Sequence, residues 1–506
     1  MTEPAPEPAP ARDPRTGGRL ALLAATLVAA AWIVRLVLQS ARGAWGADEC
    51  FHAEVSAWIL AHRALPVEFP DLYSGFLYYY HPLLHVLGAA WTWAAGPAAL
   101  RFLPVAIAAA ALAALLLGAA RHVPAPARAW AALACVLSPL VGPYAVRLYA
   151  EGLTFLLFAL AVPLIVAVAR GARAPAAIAL GAVVAAAQLA KFTGWALGAF
   201  LALAAVALAA RGERERAARF ALALAVAFGL TLPWLARNQV LYGSAFYPLG
   251  SNDVDPALLA LDRARLGVTP VRYWLGIAGV VGVAPVALAL AAIAAAVATR
   301  RRDIAVALLG FALVGILAVP LAPVAAPRHA VPFVPVLALA AAWIVHDALA
   351  SRPRAAPLVT VALALAGTVA IATLRDLRAS ADAPRFLRVG LAEVARRLPR
   401  DAVVLTPWTY ETHYYTGRGA TWPIAWGQRD RPLEPFLVRG AGPLRAAFER
   451  HHITHLLLAR DVAVDAFDGR HATRSMVAGL DTLITRREAE VRWASDRMVL
   501  VRVGPP

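Results

Sequence analysis

A chain of 506 residues that is 61% hydrophobic and 16% charged, with a mean hydropathy of +0.64, lies outside the range of soluble globular proteins. Its formal charge of +17 falls mostly in short arginine-rich segments between apolar runs, which is a membrane-topology pattern and argues against a nucleic-acid partner. Two cysteines, Cys50 and Cys135, give neither a disulfide framework nor metal-ligand spacing.

Residues 1–18 are rich in Pro and Ala, charged, and read as a disordered cytoplasmic N-terminus. The apolar run at about 20–40 is too long for a signal-peptide core and has no small-residue cleavage site, so it reads as a retained anchor. Arg12, Arg15 and Arg19 before it put the N-terminus inside. Crossing a hydrocarbon core takes about 20 apolar residues. Further runs of that order lie at about 99–120, 128–146, 152–169, 175–191, 193–210, 218–236, 273–298, 304–324, 330–349 and 357–374, which with the first makes about 11 spans. RHVPAPAR, RGAR, RGERERAAR, TRRRD and SRPRAAP then become inner loops, each with at least two arginines. Residues 41–98 become one long external loop. Its stretch 77–97 could pass for a span, but counting it would put every later basic loop outside. We read it as a helix lying in the interface. A first interfacial helix carries Phe51, Val55, Trp58, Ile59 and His62 at helical spacing, an apolar stripe expected to face the membrane. The expected transmembrane domain therefore covers 19–378. Beyond it, charged residues become frequent, and DAVVLTPW, PLRAAFERHH, ITHLLLAR and VRWASDRMVLVRV read as strand, helix, strand and closing strand pair. Residues 379–506 are the expected extracytoplasmic α/β domain.

This topology brings distant polar residues to one membrane surface. Asp48 and Glu49 begin the first external helix, with His52 one turn on. His81, Glu151, Lys191, Arg237, Asn238, Arg328 and His329 fall on the same side. These residue types suit group transfer. A carboxylate can take the proton of an attacking hydroxyl or amine, and fixed cations can stabilise a departing phosphate. Asp48 is the expected base; Lys191, Arg237 and Arg328 are candidate phosphate partners; Glu49 and Glu151 could orient the acceptor or, with Asp48, hold a divalent metal. Structural roles compete at each position. Asp48 could be a helix N-cap, Glu151 could pair with Arg147, and Lys191 and Arg237 could reach for the interface. Arg35, inside the first span, is expected to reach outward or pair with an acid.

The acidic pair in GADECFHAE, followed by YYYHPLLH, LRFLPVAIAA, LSPLVGPYAVRLYAEG, AKFTGW, PWLARNQVLYGSAFYP and APRHAVPFVPVL, resembles the GT-C membrane glycosyltransferases, nearest to the protein-mannosyltransferase and aminoarabinose-transferase superfamily. The resemblance covers most of the chain, although HPLL carries leucine where the family has a second proline. It implies an inverting glycosyltransferase that uses a polyprenyl-phosphate sugar donor on the extracytoplasmic face, with a protein, lipid or glycan acceptor. By position, Asp48 matches the proposed catalytic carboxylate, Glu49 its partner and Glu151 the acid of the second external loop. His81 falls where relatives have lysine or histidine, and Lys191 and Arg237 match basic positions linked to the lipid phosphate. The Ala-, Arg- and Pro-rich composition is that of a GC-rich bacterial genome, so the expected location is the cytoplasmic (inner) membrane. The alternative is a transporter or flippase of a lipid-linked substrate, whose polar site would lie near the bilayer midplane.

Overall fold

The computed structural model describes residues 14–46, 48–69, 76–78, 80–247, 269–321, 326–352, 354–375, 377, 385–421, 438–459 and 470–503. Residues 1–13, with Arg12, lie outside them. The first helix, Pro14–Ser40, begins within the segment expected to be disordered, with a proline whose fixed φ suits a helix start.

Helices occupy all the stretches read as spans. Among the described residues, eight are long and apolar enough to cross a membrane: Gly17–Ser40, Pro97–Gly118, Ala150–Ala169, Phe192–Ala210, Arg214–Tyr242, Ile304–Leu321, Pro327–Ala348 and Ala355–Ala372. Ala174–Ala190 is shorter, and two stretches are broken for local reasons. Ser138 and Pro139 interrupt 128–146 into Ala125–Val136 and Val141–Val146. Gly276 and Gly282 divide 273–298 into Pro270–Leu275, Ile277–Val281 and Val283–Ala298. The chain is a multi-pass α-helical membrane protein. Pro327–Ala348 runs through the middle of the bundle, with 89% of its membrane-length segment buried, whereas Ala355–Ala372 lies at the periphery with 11% buried.

The two ends of the bundle differ chemically. At one end Arg301 pairs with Asp303 at 2.6 Å and Asp347 at 2.9 Å, and Arg301 and Arg170 both lie against the Trp343 ring. Arg170 also meets His122, and Arg170, Arg211 and Arg302 line one cavity, so RHVPAPAR, RGAR, RGERERAAR and TRRRD gather at this end. The other end carries the external-loop helices Asp48–His62 and Leu83–Ala95. The second of these, only 13 residues long, is too short to span.

One expectation is corrected here. The stripe of Asp48–His62 does not face lipid: Phe51, Val55 and Ile59 are buried against Tyr78, Ala89 and Trp234, with Tyr410 packed alongside. Periodicity reports an apolar face but not what covers it, and here protein does. Gly88 lets the two helices meet, because a Cβ at that position would come within 2.4 Å of Ser56 Oγ.

The C-terminal region forms a five-stranded mixed sheet in the order Gly419–Thr421, Val403–Leu405, His455–Ala459, Met498–Val503, Ala489–Ala494. The first three strands are parallel and the last two antiparallel to their neighbours, so the closing pair is a hairpin as expected. Side chains alternate across it: Leu456, Leu458, Val501 and Val503 join the helices Ala441–Arg450 and Arg470–Thr485 on one face, while Leu457, Met498 and Leu500 meet Arg385–Arg397 on the other. The helix Thr409–Thr416 of this region docks on Asp48–His62. Tyr415 donates to the Trp45 carbonyl at 2.7 Å and His413 lies 2.5 Å from Glu54.

Candidate active site

Four of the charged residues singled out by sequence meet at the end of the bundle bearing the external-loop helices. Arg328, in the 3-10 turn Pro327–Phe333 that opens the central helix, reaches Asp48 Oδ2 at 3.4 Å and Glu151 Oε1 at 3.2 Å. Lys191 Nζ bonds the same Glu151 oxygen. The cluster thus balances two carboxylates with two cations, drawn from four elements far apart in sequence. Glu151, at the start of Ala150–Ala169, has a side chain only 2% exposed and is held from both sides. Its partners are Lys191 and Arg328, not Arg147. Asp48 is 28% exposed and its ionic contact with Arg328 is long, which leaves it the more available carboxylate for a proton.

Local backbone chemistry aims these groups. Helix Ala174–Ala190 ends where Lys191 turns extended, and Phe192–Gly194 folds back beneath it through Gly194 N–H to the Lys191 carbonyl at 2.9 Å. A Cβ on Gly194 would sit 2.0 Å from the Ala187 carbonyl oxygen, so no other residue permits this reversal unchanged. Glu49 is fully buried and accepts the Leu148 N–H at 3.0 Å, tying the acidic pair to the connection before Glu151. Tyr149 lies beneath the Arg328 guanidinium, 5.6 Å from ring centroid to carbon, and edge-on to His52.

His52, His81 and His85 are buried. His52 Nδ1 is 2.8 Å from His85 Nε2, and burial pushes the His52 imidazole down to about 4. His81 sits edge-on to Phe192 at 4.3 Å and is pushed down to about 3, first by burial and then by Lys191. Both are therefore neutral at neutral pH. Burial, reinforced by nearby carboxylates, pushes the Cys50 thiol up, so it stays protonated; Cys135 is buried and free.

Arg237 and Asn238 stand apart from the ion cluster. Arg237 donates to the Pro66 carbonyl at 2.5 Å and packs over Trp234, Tyr242 and Tyr78, while Asn238 is buried and donates to the Ala245 carbonyl at 3.5 Å. Among the described residues Arg35 meets no acid: it donates to the Leu374 carbonyl, just past a helix end that leaves carbonyls to satisfy. His329 lines a cavity of about 1270 Å³ beside the cluster, together with Phe192 and Thr193. That cavity continues between apolar faces of Phe192–Ala210 and Ile304–Ala318 to Arg170, Arg211 and Arg302 at the opposite end. Sequence reasoning did not single out Thr193, Tyr149, Tyr78 or the pairing of His85 with His52. Only the short spacing of Thr193 from Lys191 and of Tyr149 from Glu151 could have signalled any of them.

A helical bundle with two short helices and a charged cluster at one end, and a mixed α/β region docked on the first of those helices, has the GT-C fold, shared with membrane glycosyltransferases. Among solved structures it is similar to ArnT from Cupriavidus metallidurans bound to undecaprenyl phosphate, with 15% identity and a TM-score of 0.63, covering 96% of this chain and 99% of that one. It is also similar to the Archaeoglobus fulgidus oligosaccharyltransferase solved with zinc and sulfate, with 14% identity and a TM-score of 0.65 over 86% of this chain and 68% of that one. The mycobacterial arabinofuranosyltransferase AftD gives 16% identity and a TM-score of 0.54 over 95% of this chain and 42% of that one. Neither a protein-family model nor a curated protein sequence matches the chain.

The residues present do not fit a metal ion. Arg328 bridges Asp48 and Glu151, the two carboxylates that would have to share a cation, and Lys191 engages Glu151 as well. Among the described residues no group of three or more His, Cys, Asp or Glu is arranged to hold a metal.

Proposed function

We propose that the chain is an inverting glycosyltransferase that moves a sugar from a polyprenyl-phosphate donor to an acceptor on the extracytoplasmic face of a bacterial cytoplasmic membrane. The observation that carries this reading is the Asp48–Arg328–Glu151–Lys191 cluster, whose Lys191 and Arg328 adjoin in sequence the Phe192, Thr193 and His329 that line one end of the long apolar cavity. The acceptor hydroxyl or amine attacks the anomeric carbon, the carbon–oxygen bond to phosphate breaks, and the electron pair leaves with the phosphate. Asp48 takes the acceptor's proton as the bond forms. Lys191 and Arg328 stabilise the charge growing on the phosphate, in a site partly shielded from water. Thr193, whose buried hydroxyl has no hydrogen-bond partner among the described residues, adds a donor at the cavity edge. The apolar cavity walls would accept a prenyl chain. The undecaprenyl phosphate on ArnT and the dolichol phosphate on the archaeal oligosaccharyltransferase support a lipid-linked donor. Glu151 keeps the two cations paired and in place. Arg237 holds the loop at Pro66 and donates to Asn238 Oδ1 at 3.3 Å, and the Glu49 carboxylate ties the acidic pair to the Leu148 backbone.

Comparing cell-envelope glycans and glycoproteins by mass spectrometry with and without the gene identifies the product. In that background Asp48→Asn should abolish the transfer while membrane level and insertion stay near those of the parent. Transfer at the parent rate would remove Asp48 as the base.

A further inference from the structure

Behind the ion cluster lies a chain of buried polar groups that the transfer chemistry above does not use. Tyr78 Oη is 2.8 Å from His85 Nδ1, and His85 Nε2 is 2.8 Å from His52 Nδ1. All three side chains are buried, with Phe51 against both imidazoles and Trp234 against Tyr78. At its inner end the Tyr78 carbonyl accepts from Tyr242, and Arg237 lies over the Tyr78 ring. At its outer end His52 shares a helix face with Asp48, stands edge-on to Tyr149 beneath Arg328, and lies in the field of Asp48, Glu151, Arg328 and Lys191. The line therefore runs from the Arg237 loop to the ion cluster through hydrogen-bonding atoms.

A neutral imidazole has one donor and one acceptor nitrogen, so the line has two self-consistent proton arrangements. The phenol decides between them. Its O–H is the more acidic donor and imidazole nitrogen the better acceptor, which favours Tyr78 O–H donating to His85 Nδ1. His85 must then donate from Nε2–H to His52 Nδ1. That leaves His52 as the Nε2–H tautomer. Burial keeps the line uncharged in either arrangement: it lowers both imidazoles and raises the Tyr78 hydroxyl, away from ionisation.

We propose that Tyr78 and His85 are positioning residues that fix His52 as a neutral Nε2–H donor, held beside Asp48 to bind a hydroxyl of the substrate. This rests on the transfer reading and deepens it. Asp48 then removes one proton while an N–H of fixed direction orients the bound group, and a protonated imidazole never competes with Lys191 and Arg328 for the phosphate.

The test pairs a spectroscopic readout with a functional one, both on the full-length protein. Histidine rings labelled with heavy nitrogen, in detergent micelles at neutral pH, report which nitrogen carries the proton; His52→Gln assigns the His52 signals. The parent should show His52 bare at Nδ1 and protonated at Nε2, and Tyr78→Phe should release it into a tautomer mixture. Protonation at Nδ1 in the parent, or a tautomer indifferent to Tyr78→Phe, overturns the proposal. In cells, Tyr78→Phe should lower the glycan product about tenfold. His52→Ala should lower it at least as far, and His52→Gln, which keeps an N–H donor, should restore part of the loss. Equal loss in the two His52 variants at equal membrane levels also overturns it. The nitrogen signals need no substrate, so the expected tautomer in a parent that makes no glycan would defeat the transfer reading alone.

Discussion

Asp48 and Glu151 are both carboxylates of one cluster, yet their surroundings give them different work. Glu151 is enclosed by Lys191 and Arg328, and removing either partner would strand a buried charge. Asp48 shares only the far side of Arg328 and stays open to a substrate. The histidines nearby add a pH dependence with a definite sign. His52 and His81 are pushed from the ordinary 6.5 to about 4 and about 3 by burial, so between those values the unfolded chain binds protons that the folded chain does not. Their contribution to stability is fully present above about 6.5 and is lost as pH falls, toward about 4 for His52 and about 3 for His81. Thermal unfolding in detergent should show a midpoint that drops across this window, and drops less steeply in His81→Gln. A slope in His81→Gln as steep as in the parent would mean that His81 is not held neutral in the fold.

Among the elements, the reversal at Lys191–Gly194 bears most directly on the site. It ends one helix, starts the next and leaves Lys191 pointing at Glu151, all within the contact distance that a bare glycine allows. Gly194→Val should shift Lys191 away from Glu151 and sharply lower glycan transfer; parent-level transfer in correctly inserted protein would show that the turn tolerates a side chain. Some of this was legible in the sequence. The basic inner loops ordered the helices, and that ordering put Asp48, Glu151, Lys191 and Arg328 on one side before any contact was known. The partners of Glu151 were not legible, because helical spacing offers Arg147 while tertiary packing supplies Lys191 and Arg328. The stripe of Phe51, Val55 and Ile59 was legible as apolar, but its covering by Tyr78, Trp234 and Tyr410 comes from three distant segments.

Across the whole molecule, the C-terminal α/β region is tied to the helix that carries Asp48. Its strands were readable as short apolar runs, but which residue faces which layer was not, because Leu456 to Leu458 and Met498 to Val501 are apolar on both faces. Its docking was not, because Glu54 and His413 are separated by most of the chain. Glu54→Ala should loosen this contact and raise amide exchange in both Thr409–Thr416 and Asp48–His62; unchanged exchange would show that the aromatic contacts and the Tyr415 hydrogen bond suffice. Arg328 enters the cluster from a late part of the chain, more than 270 residues after Asp48. During synthesis, Asp48, Glu151 and Lys191 are therefore threaded into the bilayer well before their bridging guanidinium leaves the ribosome. A nascent chain stopped short of that point carries an acidic excess with no lock across it, so the cluster is complete only when the central helix slots home.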